Sequence, residues 1–149
     1  MKHKQLHWLP LAHHRRADAD RCLKLPLPGA RRLALCARCS ALYPAAVAAL
    51  AAQLWLDLGD PAPAGLDWLV VAALAPALVD WTLARLAMWR GSNPIRMLTG
   101  ALAGLALGRG LMLYFRDPGS EVWWTAALLG VCLVVAVEIV KRLDLKHLS

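Results

Sequence analysis

Residues 36–56 read Cys-Ala-Arg-Cys-Ser-Ala-Leu-Tyr-Pro-Ala-Ala-Val-Ala-Ala-Leu-Ala-Ala-Gln-Leu-Trp-Leu. Two thiols, Cys36 and Cys39, stand at the mouth of the first long apolar run, with Tyr43 close behind. The chain before them is basic and polar, and the chain after them is mostly apolar. A pair of residues able to hold a metal or exchange electrons is thus expected at a membrane surface.

Three further apolar segments follow, so the spans are expected at about 40–56, 66–88, 94–115 and 122–140. Roughly 20 apolar residues cross a bilayer as a helix, and the first segment is slightly short. Pro44 would fall in its first turn, where proline is tolerated. The composition agrees: 59% of the 149 residues are hydrophobic, mean hydropathy is +0.47, and Leu, Ala and Val dominate. The alternating pattern of a membrane β-barrel is missing. The expected fold class is an all-α membrane protein. It comprises a four-helix transmembrane bundle over 40–149 and an N-terminal arm over 1–39.

Charge sets the expected topology. The first 39 residues carry nine of the 17 Lys and Arg, and show no apolar core of a cleavable signal. The loop from Ala84 to Arg96 carries Arg85, Arg90 and Arg96, and the tail carries Lys141, Arg142 and Lys146. On the other side only Arg116 stands in a loop. The positive-inside rule then places both termini in the cytoplasm of a cell whose inner membrane holds the chain. Trp55, Trp68, Trp123 and Trp124 fall at the outer interface and Trp89 at the inner one, as belt anchors. The net charge of +7 clusters beside apolar segments. It is therefore read as an orientation signal and not as a nucleic-acid surface.

Within the arm, apolar residues alternate on both sides of a Pro28-Gly29 turn signal, which predicts a small β-hairpin. A three-residue turn would place Cys22 opposite Cys36, and a two-residue turn would put them on opposite faces. An arm this short needs a metal, or docking on the bundle, to stay ordered. Thiols spaced as Cys36 and Cys39 can reach one tetrahedral zinc. On the cytosolic side stable disulfides are rare, so a redox pair is the lesser reading. The further ligands would come from His13, His14 and Cys22, all upstream. Cys132 lies inside the fourth span and reads as a small lipid-buried residue.

Charges inside the spans carry the second signal, since each costs something like 2.5–3.5 kcal/mol to insert near the bilayer centre. Asp80 lies about 12 Å from the cytosolic end of its helix, at 1.5 Å per residue. It is too short to reach the interface. It is expected to face the bundle interior and pair with Arg96 or Arg85, or to line a polar cavity. Arg109 and Glu138 are expected to snorkel. Asn93 is expected to cap the third helix, with Pro94 in its first turn. Gly100, Gly104 and Gly108 form a smooth stripe for close helix packing, through which a homo-oligomer could form. Asp80, Arg96 and Asn93 are the candidate catalytic residues of a cytosol-facing pocket.

At these residues the sequence resembles a family of small prokaryotic membrane proteins catalogued as domain of unknown function 2085. His13-His14-Arg15 resembles the family's opening Cys-His and Arg. Arg21-Cys22 takes the place of Arg-Ser, and Gly29 that of a later Gly. Cys36-Ala-Arg-Cys39-Ser-Ala-Leu-Tyr43 resembles the central Cys-Ala-Arg-Cys-Thr-Gly-Ile-Tyr. Asp80 matches an intramembrane Asp, and Asn93-Pro-Ile-Arg96-Met-Leu-Thr99-Gly100 a segment of the type Asn-x-x-Arg-x-x-Thr-Gly. The resemblance spans about residues 12–110. It implies a multi-helix membrane protein and brings no established reaction. Where the family opens with Cys, this chain has His13, which can replace a thiol on zinc but not in a disulfide.

Four functions are open at this level. The first is a zinc site on the arm above an Asp/Arg pocket. The second is an enzyme acting on a lipid headgroup or small anion. The third is thiol–disulfide exchange. The fourth is a transporter or scaffold subunit. No Gly-rich phosphate loop, nucleophile elbow or HExxH is present.

Overall fold

The computed structural model describes residues 6–8, 22–27, 31–58, 63–89 and 91–147. Strands β1 (Leu6–Trp8), β2 (Cys22–Leu27) and β3 (Arg31–Cys36) form one sheet in the order β1-β3-β2. Helices α1 (Ala37–Trp55), α2 (Leu69–Arg85), α3 (Asn93–Arg116) and α4 (Glu121–His147) follow, with a 3₁₀ turn at Pro63–Trp68 before α2.

The hairpin of β2 and β3 is antiparallel and pairs Cys22 with Cys36 and Leu27 with Arg31. This is the register of the three-residue turn. The parallel partner β1 was not legible from the sequence. Three residues are too few to show a period.

All four expected spans are helical. Two of them, α3 over Asn93–Arg116 and α4 over Glu121–Leu143, are long and apolar enough to cross a membrane on their own. The 17 residues of α2 reach about 26 Å, and the 19 of α1 about 28 Å, at 1.5 Å per residue. Both fall just short of a hydrocarbon core of about 30 Å.

Helix α1 begins at Ala37, three residues before the expected start, so Pro44 lies inside it and not in its first turn. Proline has no N–H to give, so the carbonyl of Ser40 loses its usual helical donor there. At the other end, Leu58 N–H donates to the Gln53 carbonyl across Asp57, whose φ is 52°. Helix α2 ends the same way: Met88 N–H donates to the Leu83 carbonyl across Ala87, at φ 59°. These are Schellman closures with a side chain where glycine is usual. In α3 the cap is Ser92, extended, and its carbonyl accepts from Arg96 N–H. Asn93 is therefore the first helical residue and not the cap.

The core of the bundle is the contact of α1 with α3. Gly100, Gly104 and Gly108 are buried. A Cβ on Gly100 would stand 2.5 Å from the Arg38 carbonyl oxygen, and one on Gly108 2.7 Å from that of Ala46. At Gly104 the obstacles are the Leu42 carbonyl and the Ala45 side chain. The matching steps of four along both helices make the pair parallel, with backbones in contact. This corrects the expectation of the stripe as a surface between copies: α1 of the same chain occupies it. Close approach gains dispersion contacts that lipid cannot replace.

Helix α2 runs antiparallel to both: Asp80 in its second half pairs with Arg38 at the start of α1, and Asp67 just before it shares Arg109 with Gln53 near the end of α1. Helix α4 is the least embedded. It carries Leu128, Val131, Val135 and Ile139 on an exposed apolar face. Among the predicted belt residues, Trp55, Trp68, Trp89 and Trp124 are exposed. Trp123 instead lies over Gly110 and packs on Tyr114 at 5.5 Å between ring centroids.

Candidate functional site

The site begins where strand becomes helix. Cys36 is the last residue of β3 and also the residue that precedes α1, so no linker separates sheet from bundle. Cys39 is one turn on and lies in hydrogen-bonding reach of Cys36. Cys22 and Cys36 are buried, Cys39 is half-buried and Cys132 is exposed. Ala37 between the motif's first thiol and Arg38 is wholly buried. None of the four cysteines forms a disulfide. Cys132 lies on the outward part of α4.

A helix N-terminus favours a thiolate. At Cys39 that influence loses. Desolvation by burial, followed by the neighbouring Cys36, pushes the thiol up to about 11, although Arg38 pulls the other way. Cys39 is therefore neutral at physiological pH until something displaces its proton. That chemistry suits a metal ligand, which sheds its proton on binding, better than an attacking thiolate.

Asp80 is 6% exposed and its partner is Arg38, which donates from Nη2 to Oδ2. The expected pairing with Arg96 or Arg85 is thus corrected. Arg38 belongs to the Cys-Ala-Arg-Cys motif itself, and its place in the first turn of α1 carries the guanidinium to α2. Arg85 instead holds Glu138 of α4 in a two-pronged pair, at 2.5 and 2.8 Å. Glu138 therefore pairs rather than snorkels. Arg96 is 5% exposed and stays close to Asp80. A Cβ on Gly91 would lie 3.3 Å from Asp80 Oδ1 and 3.4 Å from Arg96 Nη2. Gly91 has φ 60° and lets the α2–α3 loop pass over both groups. Thr99 turns its hydroxyl back to the Arg96 carbonyl, at 3.3 Å. The structure thus brings Asp80 and Arg96 together and places Asn93 three residues before Arg96 on α3. Among the described residues, two buried atoms of the cluster lack a partner: Arg38 Nε and Asp80 Oδ1. They are the atoms that a side-on, two-pronged arginine–carboxylate pair would use.

A second cluster lies at the other end. Arg109 Nε donates to Asp67 at 2.9 Å, and Nη1 donates to Gln53 Oε1 at 3.0 Å and to the Leu58 carbonyl at 2.6 Å. Nη2 completes the pair with Asp67 at 2.9 Å. Gln53 in turn donates to the Ala49 carbonyl at 2.8 Å. Arg109 is inside the bundle and does not snorkel.

For metal binding, the described residues contain no group of three or more His, Cys, Asp or Glu arranged around one point. Cys22, Cys36 and Cys39 alone do not make a complete site. His13 and His14 lie outside the described residues.

A family model described as "Predicted membrane protein (DUF2085)" matches residues 21–109. The chain belongs to this family. The match takes in the hairpin, both thiols of the motif, Asp80, Arg96 and the glycine stripe. It supports the membrane reading that α3 and α4 make on length and apolarity. No curated protein and no solved structure matches the chain. Sequence reading missed Arg38, Gln53, Asp67 and Gly91 as site residues. Arg38 stood inside the quoted motif, but nothing in the spacing shows that its side chain turns into the bundle.

Proposed function

We propose that this DUF2085 protein is a multi-pass inner-membrane protein that holds a zinc ion at a cytosol-facing site, with both termini cytoplasmic. Cys36 and Cys39 are the first two ligands, joined by His14 and by His13 or Cys22. The observation that carries this reading is the hairpin register, which sets Cys22 directly opposite Cys36, itself one turn before Cys39. Soft thiolate and imidazole donors select zinc over the hard cations. Small knuckles of this kind gather their ligands on binding, so a metal-free chain need not show the completed shell. Four protein ligands leave no open position, which makes the role structural. The metal would order the arm above the Asp80–Arg96 cluster.

Elemental analysis of the purified protein beside Cys36→Ser tests the proposal. One zinc per chain, lost in the variant, is the expected result. A freshly purified, reduced sample without metal sinks it.

A second reading has its own observation. The partnerless Arg38 Nε–H, a donor on a guanidinium near Arg96, favours a site for a small anion or lipid headgroup, with Asp80, Arg96 and Asn93 as working residues. Inorganic phosphate should then raise the melting temperature of the wild type but not of Arg96→Met. Equal responses of the two proteins count against it.

A further inference from the structure

Three helices meet on one residue of the thiol turn. Arg38 lies between Cys36 and Cys39 in the first turn of α1. Its guanidinium is held by Asp80 of α2. Its main-chain carbonyl is pressed on the bare backbone of Gly100 in α3, where a Cβ would stand 2.5 Å away. The side chain and main chain of Arg38 are thus gripped from two directions. Cys36 enters straight from β3, and Ala37 is fully buried, so the turn has no slack on its other side. A helix turn held at one residue fixes the directions of the side chains two before and one after it, which here are the two thiols.

We infer that Asp80 and Gly100 are positioning residues for the Cys36–Cys39 pair, acting through Arg38. An ion pair suits this task better than an apolar contact, because its hydrogen bond is directional while hydrophobic packing tolerates rotation. The intramembrane carboxylate then has a definite duty: it aims the thiols at the membrane surface. Had Asp80 paired with Arg96 or Arg85, its influence would have stayed between α2 and α3 or within α2. The proposal deepens the zinc reading above, yet the clamp acts on the thiols whether or not metal is present.

The test therefore has a metal-free arm. The purified protein, stripped with chelator, is treated with N-ethylmaleimide, and the modification of each cysteine is followed by mass spectrometry of its peptide. Cys132, exposed on α4, serves as the internal reference. In Asp80→Asn the rate at Cys39 relative to Cys132 should rise tenfold or more. Because Asp80→Asn removes the charge that holds the guanidinium and could loosen the fold, the double variant Arg38→Met/Asp80→Leu accompanies it. This variant removes both charges while keeping bulk. The same rise at Cys39 is expected there, and Gly100→Ala should produce it by pushing on the Arg38 carbonyl. Arg38→Lys, which keeps a charge for Asp80, should restore most of the protection.

An unchanged ratio of Cys39 to Cys132 in the folded double variant overturns the proposal. So does a rise shared equally by all four cysteines, since that marks Asp80 as a general stability residue. The metal arm measures zinc affinity in the same variants. Partners that orient ligands typically affect affinity 10–100-fold, and a loss in that range is expected. If the wild type binds no zinc but Cys39 still responds, the zinc reading fails and the positioning role stands.

Discussion

The two buried arginine–carboxylate clusters sit at opposite ends of the same three helices, and they are finished to different degrees. At the Gln53 end, Arg109 uses all three guanidinium nitrogens on Asp67, Gln53 and the Leu58 carbonyl. At the thiol end, Arg38 makes one described contact to Asp80, and Nε and Oδ1 lack partners. A buried polar network with every member satisfied rigidifies, while a partly satisfied one costs stability. The comparison teaches that Arg109 is a rivet closing α1, α3 and the 3₁₀ turn. The Arg38 end has been left able to accept something further.

The largest effect should come from breaking the rivet. Arg109→Ala takes the guanidinium away from Asp67 and strips Gln53 and the Leu58 carbonyl of a donor. Breaking one partner of such a pair typically costs about 3–5 kcal/mol. Unfolding in mixed detergent should show a loss of that order, or no folded protein. Asp80→Asn should cost less, about 1–3 kcal/mol, because only one hydrogen bond is lost and the amide can still accept. If the two variants proved equally damaging, the contrast between the clusters would be gone.

Cys39 sharpens the comparison through pH. Its thiol is pushed up from 9.0 to about 11, first by burial and then by Cys36. The folded state therefore prefers the neutral thiol. That stability is complete below pH 9, where the unfolded thiol is also protonated, and is lost as pH rises toward 11. Metal-free protein should react slowly with maleimide at neutral pH and accelerate across that window. A plateau reached by pH 9 would contradict the shift. The smallest effect concerns neither cluster. Ala87 closes α2 at φ 59°, and Ala87→Gly should stabilise by about 1 kcal/mol. Its melting temperature should rise with the thiol ratio unchanged. This separates global stability from the aim of the thiols.

Part of this was written in single residues. The apolar runs announced four helices because burial of a helix in lipid needs only length and apolarity. Three glycines at a spacing of four, Gly100, Gly104 and Gly108, announced a close approach, and the Pro28-Gly29 signal announced the hairpin. The three-residue strand β1 did not show, since its pairing is made by β3 and not by its own pattern. The partner of Asp80 was not legible either. Arg38, Arg85 and Arg96 are equally basic, and charge alone does not say which of them shares a face with it.

By itself the sequence determined an α-helical membrane chain, a thiol pair at the head of the first helix, a backbone-deep groove on α3 and carboxylates that had to find bases. Those properties are local: hydropathy, spacing and the absence of side chains at three glycines. Only the tertiary structure decided that the groove receives α1 of the same chain. It also decided that Arg38 reaches Asp80 while Arg85 takes Glu138, and that Arg109 gathers Asp67 and Gln53. Each of these depends on the rotation and register of one helix against another, and those are set by packing across tens of residues of sequence separation.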